Sequence, residues 1–123
     1  MPRSLFTASL LAILTAATTA HAADPAAGQA VFKTQCGICH TVIQGKNMVG
    51  PSLFGIAGRS SGTIEGFRYS AANKSANLVW TPETLDKYLT APREVVPGTI
   101  MTYAGLKDET KRADLIAYLQ TVK

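Results

Sequence analysis

Long apolar runs, clusters of one charge and strand-like alternation are all scarce in this sequence of 123 residues. Beyond the first 22 residues, no segment is apolar and long enough to cross a membrane. The formal net charge of +4 is spread along the chain without a lysine run or interleaved aromatic residues, which argues against nucleic-acid binding. Because apolar and polar residues do not alternate, we expect helices and loops instead of strands.

The N-terminal segment has the pattern of a secretory signal peptide. A basic Arg3 precedes a run rich in leucine and alanine, and small residues lead up to Ala22. We predict cleavage after Ala22 and a periplasmic location for the mature chain, residues 23–123, which is long enough for one small domain. The alternative is an uncleaved membrane anchor, for which the apolar run is short.

Three helices are predicted from capping residues and apolar spacing. They start at Asp24, Thr81 and about Asp108, and they end before the first cysteine, near Ala91 and at about Thr121. A short additional helix over 70–76 is compatible with the pattern. The sequence therefore predicts a small all-α domain with long loops.

Two long connectors, residues 45–62 and 92–105, are rich in glycine and proline. They nevertheless carry apolar residues that favour burial, such as Ile56, Val96 and Ile100. Three helices in so short a chain supply only part of the apolar surface that these residues need. We therefore expect a bulky apolar cofactor beneath the loops.

The segment "CGICH", residues 36–40, contains both cysteines of the chain and has the spacing of a c-type haem attachment site. In such a site, Cys36 and Cys39 bond to the two porphyrin vinyl groups, and His40 then reaches the iron. A Cys36–Cys39 disulfide or a thioredoxin-like redox pair would have the same spacing, but no βαβ pattern accompanies it. Zinc would lack a fourth ligand.

A second axial ligand must come from a methionine, because cleavage of the leader removes the other histidine. Met48 and Met101 are the candidates in the mature chain. Met48 lies only eight residues after His40, on a short tether. Met101 lies in a loop that Pro97 stiffens and flanking glycines allow to turn, so we favour Met101 and interpret Met48 as a loop or core residue.

Five segments, in this order, resemble the class I cytochromes c, particularly the mitochondrial type and its soluble bacterial relatives: "GQAVFKTQCGICHTV", "GPSLFGIAGR", "FRYSAANKSANLVW", "YLTAPREVVPGTIMTYAGL" and "ADLIAYL". The resemblance covers nearly the whole mature chain. It implies an all-α, single-domain class I cytochrome c fold, with three main helices and long loops wrapped around one covalently attached haem c. The iron would then have His40 and Met101 as axial ligands.

The resemblance also implies roles for residues around the haem. Gly28 and Phe32 match the positions where the first helix crosses the last, and Pro51 matches the proline whose carbonyl oxygen accepts a hydrogen bond from the proximal histidine. The positions that hold the haem propionates are matched by Arg59, Tyr69 and Trp80. The polar positions around the methionine and an internal water are matched by Asn73, Tyr88 and Thr99.

The function implied by the resemblance is that of a soluble, monomeric one-electron carrier and not of an enzyme. Its expected partners are membrane redox complexes, such as a quinol–cytochrome c oxidoreductase and a terminal oxidase, or periplasmic dehydrogenases. Alternatives are a permanent cytochrome subunit of such a dehydrogenase or oxidase, and a haem enzyme or gas-binding protein with a labile methionine ligand. Gln35 and Ile100 stand where family members often have lysine, so we expect partner recognition to depend more on apolar contact.

Overall fold

The computed structural model describes residues 21–123. The predicted signal peptide, residues 1–22, lies outside the described residues except for its last two, so its cleavage stays a prediction. Among the described residues, no helix has the length and apolar character needed to span a bilayer.

The described part of the chain contains five helices, joined by loops: α1 (Pro25–Gln35), α2 (Ala71–Ser75), α3 (Pro82–Thr90), α4 (Pro92–Val95) and α5 (Glu109–Thr121). Within residues 21–123 the extended pairing reduces to one isolated antiparallel bridge between Ser60 and Val79. The predicted all-α class is confirmed.

The three main predicted helices are α1, α3 and α5, and each begins where a side chain caps it. The side chains of Asp24, Thr81 and Asp108 accept hydrogen bonds from backbone N–H groups in the first turns of these helices. The short α4 was not predicted. Proline at position 92 ends α3, as expected, but it also occupies the first position of a new helical turn, where a missing N–H costs nothing.

The crossing of α1 and α5 is the most extensive contact between helices in residues 21–123. A Cβ atom added to Gly28 would lie 1.9 Å from the backbone oxygen of Asp114, so only glycine permits this approach. Next to it, the rings of Phe32 and Tyr118 are 5.7 Å apart, and Leu115 is fully buried. The crossing implied by the resemblance is present, and it fixes the chain immediately before the two cysteines.

The apolar core joins the helices to the long loops. Its buried members are Phe32, Ile56, Trp80, Leu85, Leu89, Leu106, Leu115, Ile116 and Leu119. Ile56 and Val96 are buried, as the sequence predicted. Ile100 is not buried by the chain itself, since its side chain is 65% exposed and lies at the mouth of a cavity.

Candidate functional site

A cavity of about 510 Å³ lies between the helices and the loops. It has the size and apolar lining of a site for a large organic ligand. Most of the site residues predicted from the sequence line it, namely Cys36, Cys39, His40, Pro51, Tyr69, Asn73, Trp80, Tyr88 and Met101. The two others, Arg59 and Thr99, lie outside the lining and contact residues beside it.

The two cysteines lie on a tight turn at the end of α1. The N–H of Cys36 donates to the oxygen of Phe32 at 2.8 Å, and the N–H groups of Cys39 and His40 donate to the oxygen of Cys36 at 3.0 and 2.9 Å. Both thiols are free. Burial, with a smaller contribution from Cys39, raises the pKa of Cys36 to about 11, so its sulfur is a protonated thiol at neutral pH.

The imidazole of His40 is oriented by the backbone that follows it. Its Nδ1 lies 2.7 Å from the oxygen of Pro51. Since a carbonyl oxygen only accepts, Nδ1 carries the proton, and Nε2 keeps a lone pair that can bind a metal. Burial lowers the pKa of His40, although the bond to Pro51 opposes this, and the neutral form that binds metals is favoured. Gly50 packs against the ring, where an added Cβ would lie 2.3 Å from Cε1.

Met101 makes hydrogen bonds with two side chains, one at its sulfur and one at its backbone N–H. The hydroxyl of Tyr88 donates to its sulfur at 3.7 Å, and the backbone N–H of Met101 donates to Oγ1 of Thr99 at 3.2 Å. Asn73 donates to the same Oγ1 at 3.3 Å. Burial raises the pKa of Tyr88, against a hydrogen bond with Thr99 that lowers it, so the phenol remains a donor at neutral pH.

The loop that carries Met101 is tied to two helices at its far end. Leu106 donates its N–H to the oxygen of Leu89 in α3 at 2.7 Å. The buried guanidinium of Arg112, in α5, donates to Leu106 at 3.0 Å and to the carboxylate of Asp86, in α3, at 2.6 Å. This ion pair therefore links α3, α5 and the end of the loop.

Hydrogen-bond donors gather near the Ser60–Val79 bridge. The N–H of Trp80 donates to the oxygen of Arg59 at 2.9 Å, which places these two residues together. The hydroxyl of Tyr69 accepts a bond from the N–H of Ile64 at 3.1 Å. Within residues 21–123, the indole N–H of Trp80 and the hydroxyl proton of Tyr69 have no acceptor, although both side chains line the cavity. Free donors at a cavity fit a ligand that carries carboxylates.

Some contacts of the site were missed by sequence reasoning. The packing of Gly50 on His40 was one, although the Gly-Pro pair within "GPSLFGIAGR" was a usable signal. The hydroxyl of Tyr103 donates to Oε1 of Gln35 at 3.0 Å and joins the methionine loop to the end of α1. These two residues are 68 positions apart, and no local pattern predicts such a pair.

The family model described as cytochrome c matches residues 25–123. The chain belongs to the cytochrome c family. The recognition made from the sequence is thus confirmed, and with it the class I cytochrome c fold. As a cytochrome c, the protein is a one-electron carrier and not an enzyme, and its cofactor is covalently bound haem c.

Individual relatives agree with the family match over most of the chain. The cytochrome c2 of Rhodopila globiformis is 53% identical over 100 residues, which cover 81% of this chain and 94% of the relative. The cytochrome c2 of Blastochloris viridis is 53% identical over 102 residues, covering 82% and 80%. The cytochrome c of Euglena viridis is 46% identical over 100 residues, covering 81% and 98%. Bacterial and eukaryotic proteins are therefore both similar to it.

The residues around the cavity fit this cofactor. Two thiols, an imidazole with a free lone pair and a thioether line one apolar cavity, and imidazole and thioether are established axial ligands of c-type haem. The unpaired donors of Trp80 and Tyr69 suit the propionate groups of the porphyrin.

Proposed function

We propose that the protein is a periplasmic electron carrier that binds one haem c through Cys36 and Cys39, with His40 and Met101 as the axial ligands. The observation that carries this proposal is the presence of all four side chains in the lining of one cavity. When bound, haem supplies a reversible one-electron couple between ferrous and ferric iron.

The residues next to the two ligands set how they bind. The carbonyl of Pro51 keeps the proton of His40 on Nδ1 and leaves Nε2 as the donor atom. The hydroxyl of Tyr88 withdraws electron density from the sulfur of Met101. A neutral thioether that donates weakly favours ferrous iron, so the contact of Tyr88 with Met101 supports a high reduction potential.

The polar end of the cavity has a separate role in this proposal. The indole N–H of Trp80 and the hydroxyl of Tyr69 would donate to the haem propionates, and the guanidinium of Arg59 would supply a nearby positive charge. Burial raises the pKa of the Tyr69 phenol, and the hydrogen bond from Ile64 and the nearby charge of Arg59 oppose this rise. Carboxylates at this end would thus meet two hydrogen-bond donors and one cation.

An electron carrier fits this donor set better than a haem enzyme does. His40 and Met101 would both bind the iron, which would leave no coordination site for oxygen or peroxide. The alternative of a catalytic or gas-binding haem with a labile methionine is not favoured, since the relatives are cytochromes c and c2. Nor do these relatives favour the alternative of a permanent subunit.

The partner surface in this proposal is the apolar mouth of the cavity. Ile38, Val49 and Ile100 line the cavity and are 80%, 77% and 65% exposed. An apolar patch of this kind suits a small, transient interface with a membrane redox complex, such as a quinol–cytochrome c oxidoreductase or a terminal oxidase, or with a periplasmic dehydrogenase.

Intact mass and haem extraction test the attachment and the export together. The exported protein should have the mass of the chain from Ala23 to Lys123 plus one haem, and acidified solvent should leave the haem on the chain. Cys36→Ser or Cys39→Ser should leave only one covalent bond, and the double variant should release the haem completely. Free extraction of haem from the wild type would show that these cysteines are not the attachment site, whereas retention of residues 1–22 would contradict only the cleavage.

Ionic strength tests the partner surface. Electron-transfer rates with a quinol–cytochrome c oxidoreductase should fall less than about tenfold between 10 and 200 mM salt, because apolar contacts are not screened. Ile100→Ser should slow the reaction at both salt concentrations, and Ile43→Ser, on an exposed residue outside the cavity lining, is the matched control. A steep salt dependence with no effect of Ile100→Ser would point to charge steering instead.

A further inference from the structure

Asp114 is a buried carboxylate at the crossing of α1 and α5. It is only 5% exposed, and its backbone oxygen is the atom nearest to a Cβ added at Gly28. Its Oδ1 accepts the backbone N–H of Asp24 at 2.7 Å. The imidazole Nε2 of His21 lies 3.8 Å from the same oxygen. The segment just before α1 therefore reaches this carboxylate twice.

We propose that Asp114 binds the α-ammonium group that signal-peptide cleavage creates at Ala23. The inference rests on the proposed cleavage after Ala22. Hydrolysis of the Ala22–Ala23 peptide bond consumes one water, removes His21 with the leader and converts the amide nitrogen of Ala23 into a protonated amine. That nitrogen is one residue from the N–H of Asp24, which already contacts Asp114.

The exchange of partners changes the charge that Asp114 meets. In the uncleaved chain its neighbour is the His21 imidazole, which is 64% exposed and is charged only when protonated. After cleavage its neighbour is an ammonium, which is predominantly charged at neutral pH. A buried carboxylate is costly without a compensating charge, so the cleaved chain should hold Asp114 more favourably.

The new charge lies at the start of α1, where it needs a compensating carboxylate. Asp24 caps the N-terminus of α1, where the helix dipole is positive and an isolated ammonium is unfavourable. The carboxylate of Asp114 offsets that repulsion at the point where α1 meets α5. Cleavage would thus tighten the contact between the first and last helices, and the precursor would fold less stably than the mature cytochrome.

The test compares charged and neutral N-termini in the exported holoprotein. The α-amino group is acetylated selectively at mildly acidic pH, where lysine side chains remain protonated, and mass spectrometry verifies a single acetyl group on Ala23. Denaturant unfolding of the wild type should then show an unfolding equilibrium constant roughly fivefold larger after acetylation. In Asp114→Asn, which can still accept the Asp24 N–H, acetylation should have no effect or should stabilise slightly, because it removes a cation from the start of α1. Asp86→Asn, at a carboxylate that pairs with Arg112, should respond to acetylation as the wild type does.

A second variant keeps Asp114 and the terminal charge but separates them. Two glycines inserted before Ala23 should make the stability of the protein insensitive to acetylation. This variant tests the pairing even if Asp114→Asn does not fold. If acetylation destabilised Asp114→Asn or the two-glycine variant as much as it destabilises the wild type, the pairing would be overturned. An exported holoprotein whose N-terminus is not Ala23 would overturn the cleavage, and the pairing with it, while leaving the electron-carrier function unaffected.

Discussion

The two proposed ligands of the haem iron are held by different kinds of contact. His40 follows a turn made of backbone hydrogen bonds, and the N–H of Gly50 donates to the oxygen of Cys39 at 2.8 Å to bring Pro51 against the imidazole. Met101 is held by side chains, through the hydroxyls of Tyr88 and Thr99. We call residues 36–51 the histidine segment and residues 99–106 the methionine segment.

This difference separates the contacts that place the ligand His40 from those that adjust the reduction potential through Met101. Backbone contacts in the histidine segment depend little on side-chain identity, apart from the glycine and the proline that make room for the ring. Contacts in the methionine segment can be removed one hydroxyl at a time without moving the backbone. Substitutions in the histidine segment that crowd the ring of His40 should therefore prevent assembly, whereas loss of a hydroxyl beside Met101 should change redox properties.

The largest effect is expected for Gly50→Ala in the histidine segment. The added Cβ would lie 2.3 Å from Cε1 and 2.6 Å from Nδ1 of His40, so the ring or the backbone must move. We expect a loss of about 3 kcal/mol or more in unfolding free energy, with little mature holoprotein formed. Haem content and denaturant unfolding measure this.

Gly45→Ala provides a matched control in the same segment. Its added Cβ meets no atom within 4 Å, although Gly45 has a φ of 74°. The control should lose only about 1 kcal/mol from the unfavourable backbone conformation and should keep full haem content. A stable Gly50→Ala holoprotein with an unchanged spectrum would show that close packing of the backbone does not fix the ring of His40.

The second effect is expected for Met101→Ala in the methionine segment. Removal of the thioether leaves one axial position without a protein ligand, so carbon monoxide should bind fast and the low-spin spectrum should be lost. The potential should fall by a sizeable part of the roughly 0.8 V range that axial ligands cover. Met48→Ala is the control, since Met48 is 44% exposed and does not line the cavity. If Met48→Ala opened the iron and Met101→Ala did not, the ligand assignment would be reversed.

Sequence reasoning predicted the helical part of the fold well because caps and prolines act locally. Asp24, Thr81 and Asp108 bond to N–H groups two or three residues away, so the sequence shows both partners of each contact. The turn α4 was missed because proline at position 92 was interpreted only as the end of a helix. Proline ends one helix and can begin the next, and only the tertiary structure decides between these outcomes.

The candidate site was predicted unevenly for the same reason. A five-residue motif contains the cysteines and His40, whereas Met101 was reached by elimination and by resemblance. Long-range contacts such as Tyr103 with Gln35, or Arg112 with Asp86, depend on how the helices pack, and no spacing along the chain encodes them. The exposure of Ile100 likewise follows from the position of the cavity mouth.

The smallest effect, and the sharpest test of tuning, is expected for Tyr88→Phe. The phenylalanine ring can keep the contact with Trp80, whose ring centroid is 4.7 Å from that of Tyr88, so only the hydroxyl is lost. Without that donor the sulfur of Met101 gives more electron density to the iron, which favours the ferric state. We expect the potential to fall by about 20–60 mV, the equivalent of one neutral hydrogen bond of about 0.5–1.5 kcal/mol in a one-electron couple.

Tyr103→Phe is the matched control for this prediction, because Tyr103 lines the same cavity but donates its hydroxyl to Gln35 and not to Met101. Its potential should stay within about 10 mV of the wild type, since it removes a hydrogen bond that does not touch the sulfur. Potentiometric titration of the two variants at neutral pH makes the comparison. Equal shifts would mean that the polarity of the cavity sets the potential, and a rise in Tyr88→Phe would contradict electron withdrawal from the thioether. A fall in potential confined to Tyr88→Phe would show that one side-chain hydroxyl beside Met101 tunes the iron. The two ligands would then differ as proposed, because His40 is held mainly by the backbone.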